Sequence, residues 1–406
     1  MIYINKKELV ELEYEFVERK GLGHPDTLSD ALAEFLSVNY SNYTIKNFGA
    51  VLHHNFDKVG LLGGASFVKF GEGYLTKPIR VLINGRASTK FGDINIPIKD
   101  LLIEWAREFI ISKFPMVNYK KDLEFHYNLS NQSSPGKTEE FESTNTPRKF
   151  WFEPRNLDDL PEIKKLVSND TSLGVGYAPY SKLEQFVLNI EGVLNSDDFK
   201  KDNNWIGSDI KIMGTRNKKQ FGITLCIPQI ANYVYSIEGY KKNLNTARTV
   251  IHKIAKELEI NNLELFCNTR DNLKTKELYL TAIGSSIESG DEGLVGRGNR
   301  INGVISPTRL MSMEGSCGKN PVYHIGKIYY VAAQEISQKI FTKFGIINEV
   351  SLISQSGRDL LDPWMTFVTL YNTNIDQDEI KNLVADELRN MPEITKKLLE
   401  RKVKLF

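Results

Sequence analysis

Cysteine is scarce in this chain of 406 residues. Cys226, Cys267 and Cys317 stand too far apart for a disulfide framework or a zinc site, so a reducing compartment is expected. Long hydrophobic runs are missing as well: no stretch of about 18 apolar residues occurs. The N-terminal stretch MIYINKKELVELEYEFVERKG carries acidic residues where a signal peptide is apolar. A cytoplasmic protein with no membrane partner is the expectation. Nor does charge of one sign prevail. With 52 Lys and Arg against 51 Asp and Glu, the formal net charge is +1, which argues against a chain-wide nucleic-acid footprint. Gly/Ser linkers, Pro-rich tracts and low-complexity repeats are lacking, so nothing separates domains cleanly. The standard nucleotide fingerprints are absent too. Gly318 and Lys319 are followed by Asn320 and have no glycine five residues earlier, which excludes a P-loop. GRGNRING misses G-x-G-x-x-G and lies outside any βαβ unit.

What remains is an ordinary globular composition, 41% apolar and 25% charged. The runs KPIRVLI, LEFHYNL, DIKIMGT, FGITLCI, KELYLTAIG, EVSLISQ and MTFVTLY read as strands and outnumber the helices. Helical spacing predicts helices at 27–40, 101–113, 181–194, 246–258, 328–344 and 378–389, each with one apolar face to lay on a sheet. The fold class is α+β. The longest polar loop, 131–146, reads as a surface excursion or a lid.

The most informative stretch is 290–327, GDEGLVGRGNRINGVISPTRLMSMEGSCGKNPVYHIGK. It sets Arg297, Arg300, Arg309, Lys319, His324 and Lys327 among repeated glycines with little apolar periodicity. Glycines let backbone approach a ligand, while arginine forks and lysine point charges suit phosphate oxygens. A nucleotide polyphosphate is the expected ligand. Cys317 sits beside Gly318 and Lys319, where its thiol pKa could fall, although a small loop residue is the plainer reading.

Three further groups carry chemistry. Residues 18–30, ERKGLGHPDTLSD, run into an amphipathic helix, with Pro25 and Asp26 suited to its start. His24 stands beside two glycines. Asp26 and Asp30, one turn apart, offer a carboxylate to a hard cation such as Mg²⁺, or merely cap a helix. In 51–64, VLHHNFDKVGLLGG, His53 and His54 face opposite ways if extended, so one lines a pocket and the other packs, or both are structural. In 168–180, SNDTSLGVGYAPY, Asn169, Asp170, Thr171 and Ser172 either meet a ligand or form a turn before the next helix.

In order along nearly the whole chain, GHPD at 23–26, HHN at 53–55, NDTSLGVGYAP at 169–179, GRGNRING at 296–303 and GKNPVYHIGK at 318–327 resemble the archaeal-type S-adenosylmethionine synthetases. The resemblance implies three similar, interwoven α+β units related by a pseudo-threefold. Approximate boundaries are 16–112 with 285–330 as the central unit, 1–15 with 150–284 as the N-terminal unit, and 113–149 with 331–406 as the C-terminal unit. It also implies a homodimer with shared active sites, the substrates ATP and L-methionine, Mg²⁺, and K⁺. Carried over by motif, His24, Lys319 and Arg297 would be catalytic and Asp26 the metal ligand. Nucleotide binding would fall to Asn131, Gln132, Ser133, Ser134, Pro135, Gly136, Asp170, Arg297, Arg300, Lys319, His324 and Lys327. Methionine would lie by His53, His54, Phe56 and Lys58.

The chain also departs from that pattern. Phe56, Lys58 and Gly60 replace a small hydroxyl, an amide and an acid, and NQSSPG at 131–136 stands where a GQGS-type element is usual. Leu310 replaces a common proline, and Tyr323 and Tyr330 replace asparagines. Two other readings therefore stand beside methionine adenosylation: an adenosyltransferase for another sulfur nucleophile, and a non-catalytic ATP-binding partner subunit.

Overall fold

A computed structural model describes residues 1–10, 12–132 and 150–406. Within them lie three sheets of four or five strands, each assembled from distant parts of the chain. The first runs Ile2–Lys7, Met365–Tyr371, Asn348–Ile353, Leu173–Ala178, with Ile2–Lys7 parallel to its neighbour in the register Ile2 to Thr366. The second runs Leu123–Ser130, Ile79–Ala87, Gly60–Leu62, Glu292–Leu294, with His54–Asn55 added on Ile79–Ala87. The third runs Leu263–Cys267, Gln220–Cys226, Lys211–Asn217, Tyr14–Lys20. The α+β class holds.

The unit boundaries set out above do not follow these sheets. Strand Ile2–Lys7 joins the C-terminal strands, Leu173–Ala178 joins the same sheet, and Leu123–Ser130 belongs with Ile79–Ala87. The reason is that strand pairing over hundreds of residues leaves no mark in local periodicity.

Alternation does set the faces. In Tyr14–Lys20 every second residue is turned inward, and so are Ile212 and Gly214 in Lys211–Asn217. Val17, Ile212, Ile223 and Leu225 meet the helices Lys182–Leu194 and Ile237–Glu257 in one core, each such side chain contributing about 1.5–3 kcal/mol by leaving water. The other two sheets share a second, larger core with α1 (Pro25–Phe48), α2 (Ile98–Lys113) and the helices Ile325–Phe344, Gln377–Arg389 and Pro392–Leu399.

Of the strand-like runs, KELYLTAIG forms a ladder only at Leu280–Thr281, with one isolated bridge from Glu277 to Asn272. The 27–40 helix is longer than its spacing predicts, because no breaker follows Tyr40 until Gly49, whose left-handed φ of 83° ends it. Nor does α1 show a single apolar face. It is buried on nearly all sides and hides Asp26, Ser29, Asp30, Ser37, Ser41 and Thr44 along with its leucines.

Candidate active site

Strand Tyr14–Lys20 delivers the chain to the turn 21–24, where Gly23 N–H donates to Ser208 O (2.9 Å). A side chain at Gly23 would collide with the Ser208 and Asp209 backbone at 2.6 Å, so glycine is required by close approach. His24 then caps α1: its Nδ1 accepts from Asp26 N at 3.2 Å, which leaves Nε2 as the N–H position. Burial lowers the His24 pKa, against the pull of Asp209 and Asp26.

From there a polar stripe runs down α1 at every third or fourth residue: Asp26, Asp30, Glu34, Ser37. Each fastens part of the glycine-rich segment. Asp26 Oδ1 accepts from Leu294 N (3.1 Å), while Oδ2 takes Lys20 Nζ (2.8 Å). Asp30 Oδ1 accepts from Gly296 N (2.8 Å). Glu34 accepts from Gly318 N (3.0 Å) and holds Lys327 Nζ with both oxygens (2.8 and 2.6 Å). Ser37 Oγ lies 3.0 Å from Lys319 O and 2.8 Å from His54 Nε2. Asp30 is almost wholly buried, and desolvation pushes its pKa up to about 7 against the help of Gly296 N–H.

The cradle's cations divide into two kinds. Arg297 is open, its side chain 68% exposed and its Nε 3.8 Å from Asp26 Oδ1. Lys319 is buried, paired with Glu314 and 4.0 Å from Asp57 Oδ2; burial lowers its pKa to about 8, against the opposing pull of Asp57. Arg300 and Lys327, expected at the phosphates, are both engaged by protein groups. Arg300 NH2 donates to Gly296 O (2.6 Å) and Gly298 O (2.7 Å), so its fork already shapes the loop. Lys327 is fully buried on Glu34. A buried ammonium without that carboxylate is costly, which is why it points inward. His324 caps the helix Ile325–Phe344 through Nδ1, accepting from Gly326 N, and burial holds its pKa well below the usual value with Lys319 and Lys327 adding to that.

The methionine-side residues are also redistributed. Both histidines are buried. His54 Nδ1 donates to Leu52 O (2.9 Å), and burial depresses its pKa to about 3. His53 meets the Tyr323 hydroxyl at 2.7 Å and stacks on Trp151. Phe56 was expected at the methionine pocket but lies wholly in the core, against Tyr40 and His54. Lys58 stays in solvent, paired with Asp57. Gly60 has a steric reason: a Cβ there would come within 2.8 Å of Leu294 across the sheet.

Asp170 is exposed at the turn that leads to Ser172, whose hydroxyl donates to Glu314, and Asn169 Oδ1 accepts from Ile325 N, so this turn abuts the Lys319 loop. Asn131 donates to Glu153 (2.8 Å) and Gln132 N to Ser130 Oγ (3.2 Å). Ser133, Ser134, Pro135 and Gly136 lie outside the described residues. Cys317 is buried under Leu405 and burial raises its pKa well above the ordinary thiol range, so the lowered value entertained above does not occur.

Sequence reasoning missed Lys20, Glu34, Glu314 and Asp209. Glu34 was within reach, since it extends the Asp26–Asp30 spacing by one more turn. Asp209 carried no such signal. It is buried beside His24, accepting from Ser286 N (2.8 Å) and Oγ (2.6 Å).

An acidic stripe of four-residue spacing on α1 thus clamps an arginine- and glycine-rich loop on a three-sheet frame. Residues 2–402 match the family model for S-adenosylmethionine synthetase (AdoMet synthetase), and the chain belongs to that family. It is 38% identical over 397 residues to the probable S-adenosylmethionine synthase of Aquifex aeolicus, covering 96% of this chain and 95% of that one. It is 36% identical to the S-adenosylmethionine synthase of Thermoplasma acidophilum, covering 97% and 96%. Among solved structures, an unusual S-adenosylmethionine synthetase from Campylobacter jejuni superposes with a TM-score of 0.61 at 13% identity, over 95% of this chain and 90% of that one, a likeness of fold.

Proposed function

We propose that this protein makes S-adenosylmethionine from ATP and L-methionine, with release of phosphate and pyrophosphate. The family match across residues 2–402 carries the reading, and the glycine-rich segment clamped on α1 through Asp26 and Glu34 supports it. A thioether sulfur bears no proton, so its attack on the ribose C5′ needs no general base. The barrier falls by aligning sulfur with C5′ and by stabilising charge on the leaving triphosphate. His24 presents an Nε2–H and Arg297 an exposed guanidinium for that charge, and Lys319 would exchange Glu314 for it, while Arg300 and Lys327 stiffen the backbone around them.

Among the described residues no cluster of three His, Cys, Asp or Glu is arranged for a metal. That suits an ion brought by the nucleotide, which needs one carboxylate such as Asp26 and fills its shell with phosphate and water oxygens. Mg²⁺ bound so would neutralise triphosphate charge. K⁺ belongs to the proposal through the family resemblance alone. The methionine end is assigned to the neighbourhood of His53, His54, Phe56 and Lys58, and further nucleotide contacts to Asp170 and 131–136. A homodimer is supported by the outer face of the third sheet, where Tyr14, Phe16, Met213 and Phe266 stand exposed together. No helix among the described residues is long and apolar enough to cross a membrane, and a cytoplasmic site of action fits the reduced cysteines.

Incubation with ATP, methionine, Mg²⁺ and K⁺ yields the sulfonium product and both phosphate products. No sulfonium at any methionine concentration overturns the proposal. An alternative sulfur nucleophile is not favoured, since the substitutions that suggested it resolve into a core phenylalanine, a solvent lysine and a glycine packed on Leu294.

A further inference from the structure

Behind the stripe that clamps the cradle, α1 turns a second face, Ala31, Phe35 and Val38, toward a cavity of ≈ 200 Å³. Phe109 of α2, Leu398 of the helix Pro392–Leu399, and Val403 and Phe406 of the C-terminal segment close the walls. The lining is largely apolar, but the rim is cationic: Lys113, Arg401 and Lys404. Lys113 lies over the Phe109 ring at 5.7 Å. Arg401 lies over Phe35 at 4.6 Å and donates to Asn39 Oδ1 at 2.8 Å. Neither contact neutralises the charge. The one acidic side chain at the cavity among the described residues, Glu34, is already engaged by Lys327 and Gly318 N.

We propose that this cavity binds a short arylalkanoic acid, with the ring between Phe35, Val38, Phe109 and Leu398 and the carboxylate at Arg401 and Lys404. Two observations select that chemistry. The volume exceeds the roughly 150 Å³ of an apolar cavity that holds benzene, leaving room for one or two methylenes beyond a ring. The cationic side chains at the mouth, none of them paired with an acidic side chain among the described residues, complement a single anion on a flexible stem, and arginine takes a carboxylate as a fork. Glu34 lines this cavity and holds the Lys319 turn, so the site shares a side chain with the phosphate cradle without belonging to it.

The test is calorimetric titration of the full chain with phenylpropionate, against phenylpropanol of the same shape without charge. Saturable binding at one molecule per chain is expected, with a Kd of roughly 0.1–1 mM for a ligand of this size. The alcohol binds about tenfold more weakly, and the doubly substituted Arg401→Gln/Lys404→Gln protein loses about tenfold for the acid and nothing for the alcohol. Both positions are exposed, so the variant folds, which the unchanged alcohol affinity verifies. No saturation by about 10 mM acid overturns the proposal. So does equal affinity of the two proteins for the acid, and so does sedimentation showing that the variant dissociates a dimer, which would make the cavity a contact between copies of this chain.

Discussion

Glu34 and Lys327 form a pair whose role can be separated by a double-mutant cycle. Lys327 is fully buried and Glu34 meets it with both oxygens, while also accepting from Gly318 N. Glu34→Leu strands the ammonium and one backbone N–H. Removing one partner of such a buried pair costs about 3–5 kcal/mol. For a chain of 406 residues the unfolding entropy is on the order of 0.85 kcal/mol/K, so the melting temperature falls by roughly 4–6 °C. Lys327→Met leaves Glu34 with Gly318 N alone and costs a similar amount. The double variant removes both charges together and recovers most of the loss, coming within about 1–2 kcal/mol of the parent. Calorimetric melting and urea midpoints of the four proteins measure the coupling. If the two single losses simply add in the double variant, or if neither exceeds about 1 kcal/mol, the pair is not the bolt described here. The activity of the double variant then asks a second question. A lysine that shapes the cradle leaves the KM for ATP within a few-fold, whereas one that grips phosphate does not.

Four further outcomes are expected. Lys319→Ala and His24→Ala each lower kcat by orders of magnitude while circular dichroism stays native, as the leaving-group role proposed for them requires; a loss under tenfold in both refutes their assignment. Asp30 keeps its proton up to about 7 in the folded chain, whereas its ordinary value is 3.8. Between those values the native state holds a proton that the unfolded state has released, so stability falls as pH rises through that window and levels off above it. Asp30→Asn, which can still accept from Gly296 N, flattens this slope in urea midpoints taken across the window; an unchanged slope sinks the reasoning. Phe56→Ala costs about 3–5 kcal/mol in stability as a core truncation and leaves the KM for methionine of the folded enzyme within about twofold. Gly318→Ala combines a left-handed φ of 78° with a Cβ 2.7 Å from the Phe56 carbonyl carbon, so it loses on the order of 1–3 kcal/mol and slows turnover by displacing Lys319.

Much of this was legible along the sequence. Six helices and seven of the nineteen strands among the described residues declared themselves by pattern, and GHPD, GRGNRING and GKNPVYHIGK marked the segments that meet around α1. What stayed hidden had physical causes. Charge type says that a lysine is cationic but not whether a carboxylate awaits it inside, so Lys327 and Arg300 read as phosphate ligands although each is committed to protein groups. A phenylalanine next to a histidine pair looks like a pocket wall until the chain is folded and the ring is found against Tyr40. The sheets were the least visible of all, because the partner of Ile2–Lys7 lies at the far end of the chain.

The stripe on α1 has a consequence for how the site comes into being. Its bonds to Leu294, Gly296, Gly318 and Lys327 join residues separated by 268, 266, 284 and 293 positions. Contacts so remote form late, after their loop-closure entropy has been met. A chain that has collapsed locally but not yet docked 290–327 on α1 therefore has helices and strands yet lacks the site proposed above for a triphosphate. Nucleotide binding is in that sense a proofreading of the fold: only the finished molecule is held by its ligand, and a cell rich in ATP draws the population toward completion.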